Sequence, residues 1–420
     1  MKSPLLSFSA LGQRSEPPTI ARLMTMALET PGLLSLAAGF TDNRSLPVET
    51  VRAAVEVVTK QGGEPEYLQY GTNQGRPGLR QLLAEHLTEK EPELVGGEIA
   101  RNVVITNGSQ QALYLAMQVL CDPGDIVLVD RPSYFVFLEM LAGLGVQARS
   151  FPLDADGKID RVALNQLLVE MKTRGETRRL KAVYFVSYFS NPSSRCLTEA
   201  EKTTIGEVLT EHGLHLPVIE DGAYRDLYFQ QPYDARSVLS LPAWRDFPKF
   251  YLETLTKSFA TGLKVGYGFC SDRAWLEKML HVKGCHDFGT ANFNQAIFEQ
   301  VLANGGYAAQ LARIRPMYQE KMRCLHETLI VEGLSKLAWL WTEPTGGLYL
   351  WLKAPGGLDT STDSAFCHAC IREGVLYVPG DLCFGDEAPK NYVRLSFGVL
   401  EGDELVEAGR RFVSVVRHLA

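Results

Sequence analysis

The feature that most constrains this chain is a regular alternation, starting near Arg101, of short apolar β-prone runs with segments of helical periodicity. Residues 103–106, 126–130, 148–152, 182–186, 218–220, 250–253 and 265–270 read as strands, and 109–120 and 135–144 read as helices between them. Strands that alternate with helices over such a length imply an α/β fold with a mainly parallel, doubly wound sheet flanked by helices. In sheets of this kind ligands sit beyond the carboxyl ends of the strands. A chain of 420 residues is long enough for this large domain and a second, smaller one. A long helix over 317–332, followed by strand-like runs at 341–352, 375–378 and 392–397, predicts a small α+β domain. Ahead of the large domain lies an arm with a short helix over 20–28, an apolar stretch over 33–38 and Gly39, and a helix then spans 47–60. The expected division is 1–46 as arm and part of the small domain, 47–315 as the large domain and 316–420 as the small C-terminal domain.

Composition removes several classes. The net charge of −7 and the absence of a basic stripe argue against a nucleic-acid partner. No run of about 18 apolar residues predicts a membrane span, and the N-terminus does not read as a secretory signal, so the expected location is cytoplasmic. Eight scattered cysteines suit a reduced compartment. Cys367 and Cys370 flank His368, but no further ligands follow at metal-site spacing, so no metal is expected. No Gly-x-Gly-x-x-Gly turn follows a strand, which weighs against a nicotinamide dehydrogenase.

Three side chains at strand ends carry the chemistry. Asn191 opens NPSSR, Asp221 closes VIED and Lys257 lies in TLTKSFATGLK, spaced by about 30 and 36 residues, each roughly one helix plus one strand. In a parallel sheet that spacing sets all three at one edge. Pyridoxal phosphate (PLP) needs a lysine that holds it as a Schiff base and a carboxylate that keeps its ring nitrogen protonated. Asn191 and Tyr224 are assigned to the phenolic oxygen of the ring. For the phosphate, Gly108, Ser109 and Gln110 lie in a turn that opens a helix, where free N–H groups and the dipole favour an anion. Thr254, Thr256 and Lys264 add two hydroxyls and a cation, and Tyr134 offers a ring to stack on the pyridine. Each feature alone has a plainer reading: strand-end aspartates cap helices, Gly-Ser turns are N-caps, and lysines beside threonines are surface residues. Their order and joint spacing carry the assignment.

These residues resemble the class I aminotransferases of PLP fold type I, and within them the 2-aminoadipate/aromatic, multi-substrate branch. The matching segments include LSLAAGF, LQYGTNQGRPGLR, VVITNGSQQAL, DRPSYF, FSNPSSR, VIEDGAYRDL, LTKSFATGLKVGY, EPTGGLYLW, GVLYVPGDLCF and VRLSFG. The resemblance implies transfer of an amino group from an L-amino acid to a 2-oxo acid in a ping-pong cycle, with Lys257 as Schiff-base lysine and acid/base. It makes Arg394 the grip on the substrate α-carboxylate, with Gly39 and Asn191 beside it, and Tyr70 a residue lent to the neighbouring subunit of a homodimer with shared active sites. Alternatives of the same fold are a PLP-dependent lyase, decarboxylase or oxidase and, more remotely, a non-catalytic PLP-binding sensor. Fewer than about 40 residues precede the first family segment, too few for the DNA-binding domain that such sensors carry. The chain departs from the family pattern at Lys264, where arginine is usual, at Ala223 in place of proline, at Ser194 in place of glycine, and in AAGFTD around Gly39. Arg22, Tyr67, Phe135 and Phe288 are candidate pocket liners, and the apolar and aromatic neighbours favour aromatic or aliphatic substrates.

Overall fold

A computed structural model describes residues 7–19, 25, 29–60, 65–94 and 99–419. The helix expected over 20–28 and Arg22 within it fall outside the described residues, save for Thr25, which is helical. Strand β1 spans Leu34–Ser35. The large sheet is built from β2 (Val103–Thr106), β3 (Ile126–Val129), β4 (Gln147–Ser150), β5 (Leu180–Val186), β6 (Val218–Asp221), β7 (Lys249–Thr254) and β8 (Gly266–Cys270). Its order is β2-β8-β7-β6-β5-β3-β4. Neighbours from β7 to β4 run parallel, while β8 is antiparallel to both β7 and β2. The expected mainly parallel α/β sheet is therefore present, with one reversed strand.

Every residue of β2, β3, β6, β7 and β8 is buried, as expected for strands covered on both faces. On one face Val104, Val127, Tyr184 and Leu252 pack with apolar residues of helices Gly108–Leu120, Phe135–Leu144 and Arg273–His286. On the other, Ile126, Val183, Phe185 and Val218 pack with Leu164, Leu168, Ile205 and Leu209 of helices Arg161–Thr173 and Glu199–Glu211.

Strands β9 (Tyr349–Lys353), β10 (Val375–Leu376), β11 (Val378–Pro379) and β12 (Tyr392–Ser396) complete the set. β11, β12 and β9 form an antiparallel sheet, and β1 pairs in parallel with β10. The run expected at 375–378 thus divides between two sheets, one of which captures the chain leaving the arm. The strand expected over 341–352 begins only at Tyr349, because Gly347 takes a left-handed φ of 78° that breaks extension just before it.

The long helix starts at Gly306 and ends at Val331, with Pro316 inside it, whereas the sequence reading started it just after that proline. Proline in a helix costs roughly 3 kcal/mol. Here Tyr307, Leu311, Ile314, Tyr318, Met322, Leu325 and Leu329 form a buried stripe that continues through Pro316. Burying such side chains contributes about 1.5–3 kcal/mol each, so the stripe outweighs the break.

Candidate active site

The carboxyl edge of the large sheet carries the three residues read from the sequence. Asp221 is the last residue of β6 and stands in register with Val186 of β5 and Leu252 of β7. Asn191 follows β5 after a short turn. Lys257 sits on the four-residue helix Leu255–Ser258 that follows β7 directly, capped by the Thr254 hydroxyl, which accepts from the Thr256 N–H.

Asp221 is 3 % exposed. Its carboxylate accepts from the Tyr184 hydroxyl at 3.2 Å and from the Ala223 N–H at 2.9 Å. Among the described residues no cation forms an ion pair with it. Burial pushes its pKa up to about 7, partly offset by those two donors. A carboxylate buried in this way lacks a positive partner.

Lys257 donates to the Gly39 carbonyl. Desolvation, aided by the Arg394 and Lys264 cations, lowers its pKa to about 8. Arg394, on β12, is 1 % exposed. It donates from Nη1 to Asn191 Oδ1 at 2.8 Å and from Nη2 to the Ala37 carbonyl at 2.6 Å. Among the described residues its Nε has no hydrogen-bond partner. The guanidinium lies 4.3 Å from the Tyr349 ring centroid and 5.3 Å from that of Phe135. Tyr349 in turn shares a 2.9 Å hydrogen bond with the Tyr224 hydroxyl. Burial raises the Tyr224 pKa well above the usual phenol range, so its hydroxyl stays protonated near neutral pH. Burial likewise raises that of Tyr134.

One cleft of about 830 Å³ is lined by Gly39, Gln110, Tyr134, Asn191, Tyr224, Lys257, Lys264 and Arg394. A neighbouring cavity of about 750 Å³ shares Lys257 and Tyr224 and adds Gly108, Ser109, Asp221, Thr254 and Thr256. Gly108 has φ +71° at the head of the helix Gly108–Leu120, with nothing closer than 3.8 Å to where a Cβ would stand. The Thr254 and Thr256 hydroxyls lie 2.7 Å apart. Lys264 is exposed and adopts a left-handed φ of 55°.

Tyr70 lines neither cavity. It is 78 % exposed, with its ring edge-on to Phe288, itself 60 % exposed. Of the other expected liners, Phe135 reaches the cleft, whereas Tyr67 packs on Phe293. Three contributors were not singled out in the sequence. Tyr184 lies inside the apolar run AVYFV and Tyr349 inside GLYLW, where a tyrosine reads as ordinary core, and the Ala37 carbonyl leaves no mark in a side-chain pattern. Cys367 and Cys370 are buried on the helix Ala365–Arg372, away from both cavities.

The site fits PLP on its own chemistry. The buried, unpaired Asp221 calls for a cation of the kind a protonated pyridine nitrogen supplies. The open Gly108 turn at a helix N-terminus, with the threonine pair and Lys264 beside it, suits a phosphate. Lys257 has the depressed pKa that a nucleophilic amine needs near neutral pH.

Sheet, strand-end lysine and acid together define a PLP-dependent enzyme of fold type I. A family model for aminotransferase class I and II matches residues 31–411, and the chain belongs to that family. It is 30 % identical over 97 % of its length, and 95 % of the relative's, to a 2-aminoadipate transaminase of Thermus thermophilus. It is 28 % identical to an aromatic-amino-acid aminotransferase of Thermococcus litoralis, over 98 % of this chain and 94 % of that one. Among solved structures, a kynurenine aminotransferase of Pyrococcus horikoshii in complex with PMP superposes with a TM-score of 0.86 at 27 % identity, covering 98 % of this chain and 97 % of that one. The chain is therefore a PLP-dependent aminotransferase that moves an amino group between an amino acid and a 2-oxo acid. Among the described residues no helix is long and apolar enough to cross a membrane.

Proposed function

We propose that Lys257 is the residue that binds the cofactor covalently and shuttles the substrate proton, with Asp221 facing the ring nitrogen. The carrying observation is the pairing, around one cavity, of an amine lowered to about 8 with a buried acid raised to about 7 that has no cation partner among the described residues. PLP, when bound, withdraws electrons from the substrate Cα and so makes its C–H acidic. With that group bound, the Lys257 amine would be the base placed to take the proton from Cα. Neither role suits a permanently charged ammonium, which is why desolvation of this amine matters. Asp221 would hold the positive charge of the ring nitrogen, and the Tyr184 hydroxyl and the Ala223 N–H fix its orientation.

Asn191 accepts from Arg394 through Oδ1, which leaves its amide N–H free to donate, together with the Tyr224 hydroxyl, to the phenolic oxygen. Tyr134 would stack on the ring, and Gly108, Ser109, Gln110, Thr254, Thr256 and Lys264 would hold the phosphate. Arg394, with an idle Nε and a wall of Tyr349 and Phe135, takes the substrate α-carboxylate beside Gly39. A bidentate fork of this kind orients Cα for deprotonation.

The exposed Tyr70–Phe288 pair suits burial against a second copy, and on our reading Tyr70 reaches that copy's phosphate in a homodimer with shared sites. No nucleic-acid role and a cytoplasmic setting complete this reading. We divide the chain as 1–46, 47–315 and 316–420, with the helix Gly306–Val331 running through the second boundary. The wall of Phe40, Val136, Met140 and Phe135 favours aromatic or aliphatic side chains.

The test is Lys257→Ala. Replacement should abolish covalent retention of PLP after borohydride reduction and lower the rate of amino transfer by about 10⁴-fold or more, as for loss of a nucleophile and base in one residue. Retention of reduced cofactor on the variant chain would refute the assignment. Production of an amine or CO₂ in place of a 2-oxo acid would favour the decarboxylase reading.

A further inference from the structure

The helix Gly108–Leu120 opens on Asn107, whose side chain makes no capping bond to the first turn. Asparagine at this position ordinarily accepts from an N–H of that turn and so takes the place an anion would occupy. Here the Asn107 amide turns outward and donates from Nδ2 to Asp287 Oδ2 at 2.9 Å. Gln111, one turn along the helix, donates to the same oxygen at 2.8 Å and accepts from the Asn107 N–H at 2.9 Å. A carboxylate accepts only, so it fixes both amides with their nitrogens towards it. Asp287 is itself held as the C-cap of the helix Arg273–His286. Lys283 Nζ donates to both of its oxygens at 2.8 Å, and the Gly289 N–H donates to Oδ1 at 2.9 Å. The Lys283 side chain is fully buried. Burial pushes the Asp287 carboxyl up, but Lys283, Gln111 and the Gly289 N–H outweigh it and hold the acid below its usual range. Asn107 and Gln111 line the same cavity of about 750 Å³ as Gly108, Ser109 and Lys257.

We infer that Asp287, backed by Lys283, is a positioning residue for the cofactor phosphate: it draws the Asn107 side chain away from capping its own helix and so keeps the N–H groups of the first turn open to the anion. This rests on the reading that Gly108, Ser109 and Gln110 take the phosphate. An acid beside a phosphate site repels the phosphate unless a cation answers it, and Lys283 supplies that cation from the side away from the turn's amides. The pair therefore offers Asn107 and Gln111 an acceptor without adding net charge. Without Asp287 the Asn107 amide is released, and its oxygen competes with the phosphate for the same donors.

The probes are PLP and pyridoxal, which differ only by the phosphate, titrated by fluorescence into the full-length apoenzyme. Asp287→Ala alone strands the buried Lys283 ammonium, so the main variant is Lys283→Met/Asp287→Ala, which leaves no unpaired charge. Its Kd for PLP should rise about fivefold to tenfold, the scale of one helix-capping bond, while that for pyridoxal stays within about twofold. Asp287→Asn, which keeps one acceptor oxygen, should give a smaller shift in the same sense. Adding Asn107→Ala to the main variant should recover most of the loss, because no side chain is then left to cap the turn. Sedimentation of each variant should match that of the native chain. Unchanged PLP affinity would overturn the inference. So would an equal loss for both probes, or a loss that Asn107→Ala does not recover, by showing that Asp287 merely supports the fold. A loss that appears only together with a change in sedimentation would overturn it as well, by assigning the effect to subunit contact. If the native chain binds PLP no more tightly than pyridoxal, the phosphate reading on which the inference stands falls instead.

Discussion

The inner cradle and the outer wall of the same cleft are built in different ways. Asp221, Asn191 and Arg394 are buried to within a few per cent and stand on or beside strands whose neighbours fix them by register. The outer wall is made by Phe40, 46 % exposed, by one face of the helix Phe135–Leu144 and by residues 11–19. Those arm residues are tied down by the Arg14 contacts to Gly143 and Leu144 and by the Thr19 contact to Glu139. On our reading the groups that must keep close geometry for proton transfer sit on the rigid element, and the arm residues at the mouth form a strap that can vary without moving them. The departures from the family pattern do not follow this division: Lys257, Asp221 and Arg394 are intact, but Ala223 and Lys264 line the inner cavity beside them and Ser194 lies buried in the Asn191 loop. Ser194 is an informative case: it holds a left-handed φ of 51° where the resemblance leads one to expect glycine, and its hydroxyl donates to the Tyr349 carbonyl at 2.7 Å. That bond ties the Asn191 loop to β9 and helps offset a backbone cost of about 1–2 kcal/mol.

The contrast can be broken or sharpened by graded perturbation. The largest effect after loss of Lys257 is expected from Asp221→Asn, which keeps the shape but removes the charge that would face the ring nitrogen. Amino-transfer kcat should fall by about 10³-fold, in line with removal of a central electrostatic group; a loss of less than tenfold would place the ring charge elsewhere. Arg394→Lys should follow, with kcat/KM down by about 10²-fold and most of the change in KM, because a point charge cannot reproduce the planar fork. Cofactor affinity, read by fluorescence titration, should barely change in that variant, separating substrate grip from cofactor grip. Next comes pH. Only the neutral amine captures an aldehyde, and the Lys257 pKa is lowered to about 8. Uptake of PLP by the apoenzyme should therefore rise about tenfold per pH unit below that value and level off above it. A rise that continues to pH 10 would mean the amine is not desolvated. The smallest change is expected at the strap: Arg14→Ala should raise KM by about threefold, the scale of a part-exposed hydrogen bond, and leave PLP affinity as it is. An equal loss of both would show that strap and cradle form one unit.

Much of the fold was legible because burial writes itself into sequence. The helix Phe135–Leu144 matches its expected bounds, β2 likewise, and β6 ends at Asp221 as the apolar run VIED indicates. The misjudged elements are those in which packing overrides local preference. Pro316 reads as a helix start, yet a buried stripe carries the helix through it. The run at 375–378 reads as one strand, yet β1 and β12 compete for it and each takes half. Tyr184 and Tyr349 escaped notice at the site for a related reason: a tyrosine inside an apolar strand looks the same whether its hydroxyl is idle or, as here, bonded to Asp221 or to Tyr224.

The sequence by itself determined the chemistry, because amine, acid and amide recur at intervals of one strand plus one helix and a parallel sheet can only bring such positions to a single edge. Tertiary structure alone decided the charges and the partners. The titration of Lys257 and Asp221 depends on how much water their surroundings exclude, and the Arg394 Nε, without a partner among the described residues, depends on which distant acceptors claim its other nitrogens. Those are sums over contacts between residues hundreds of positions apart, which no local pattern encodes.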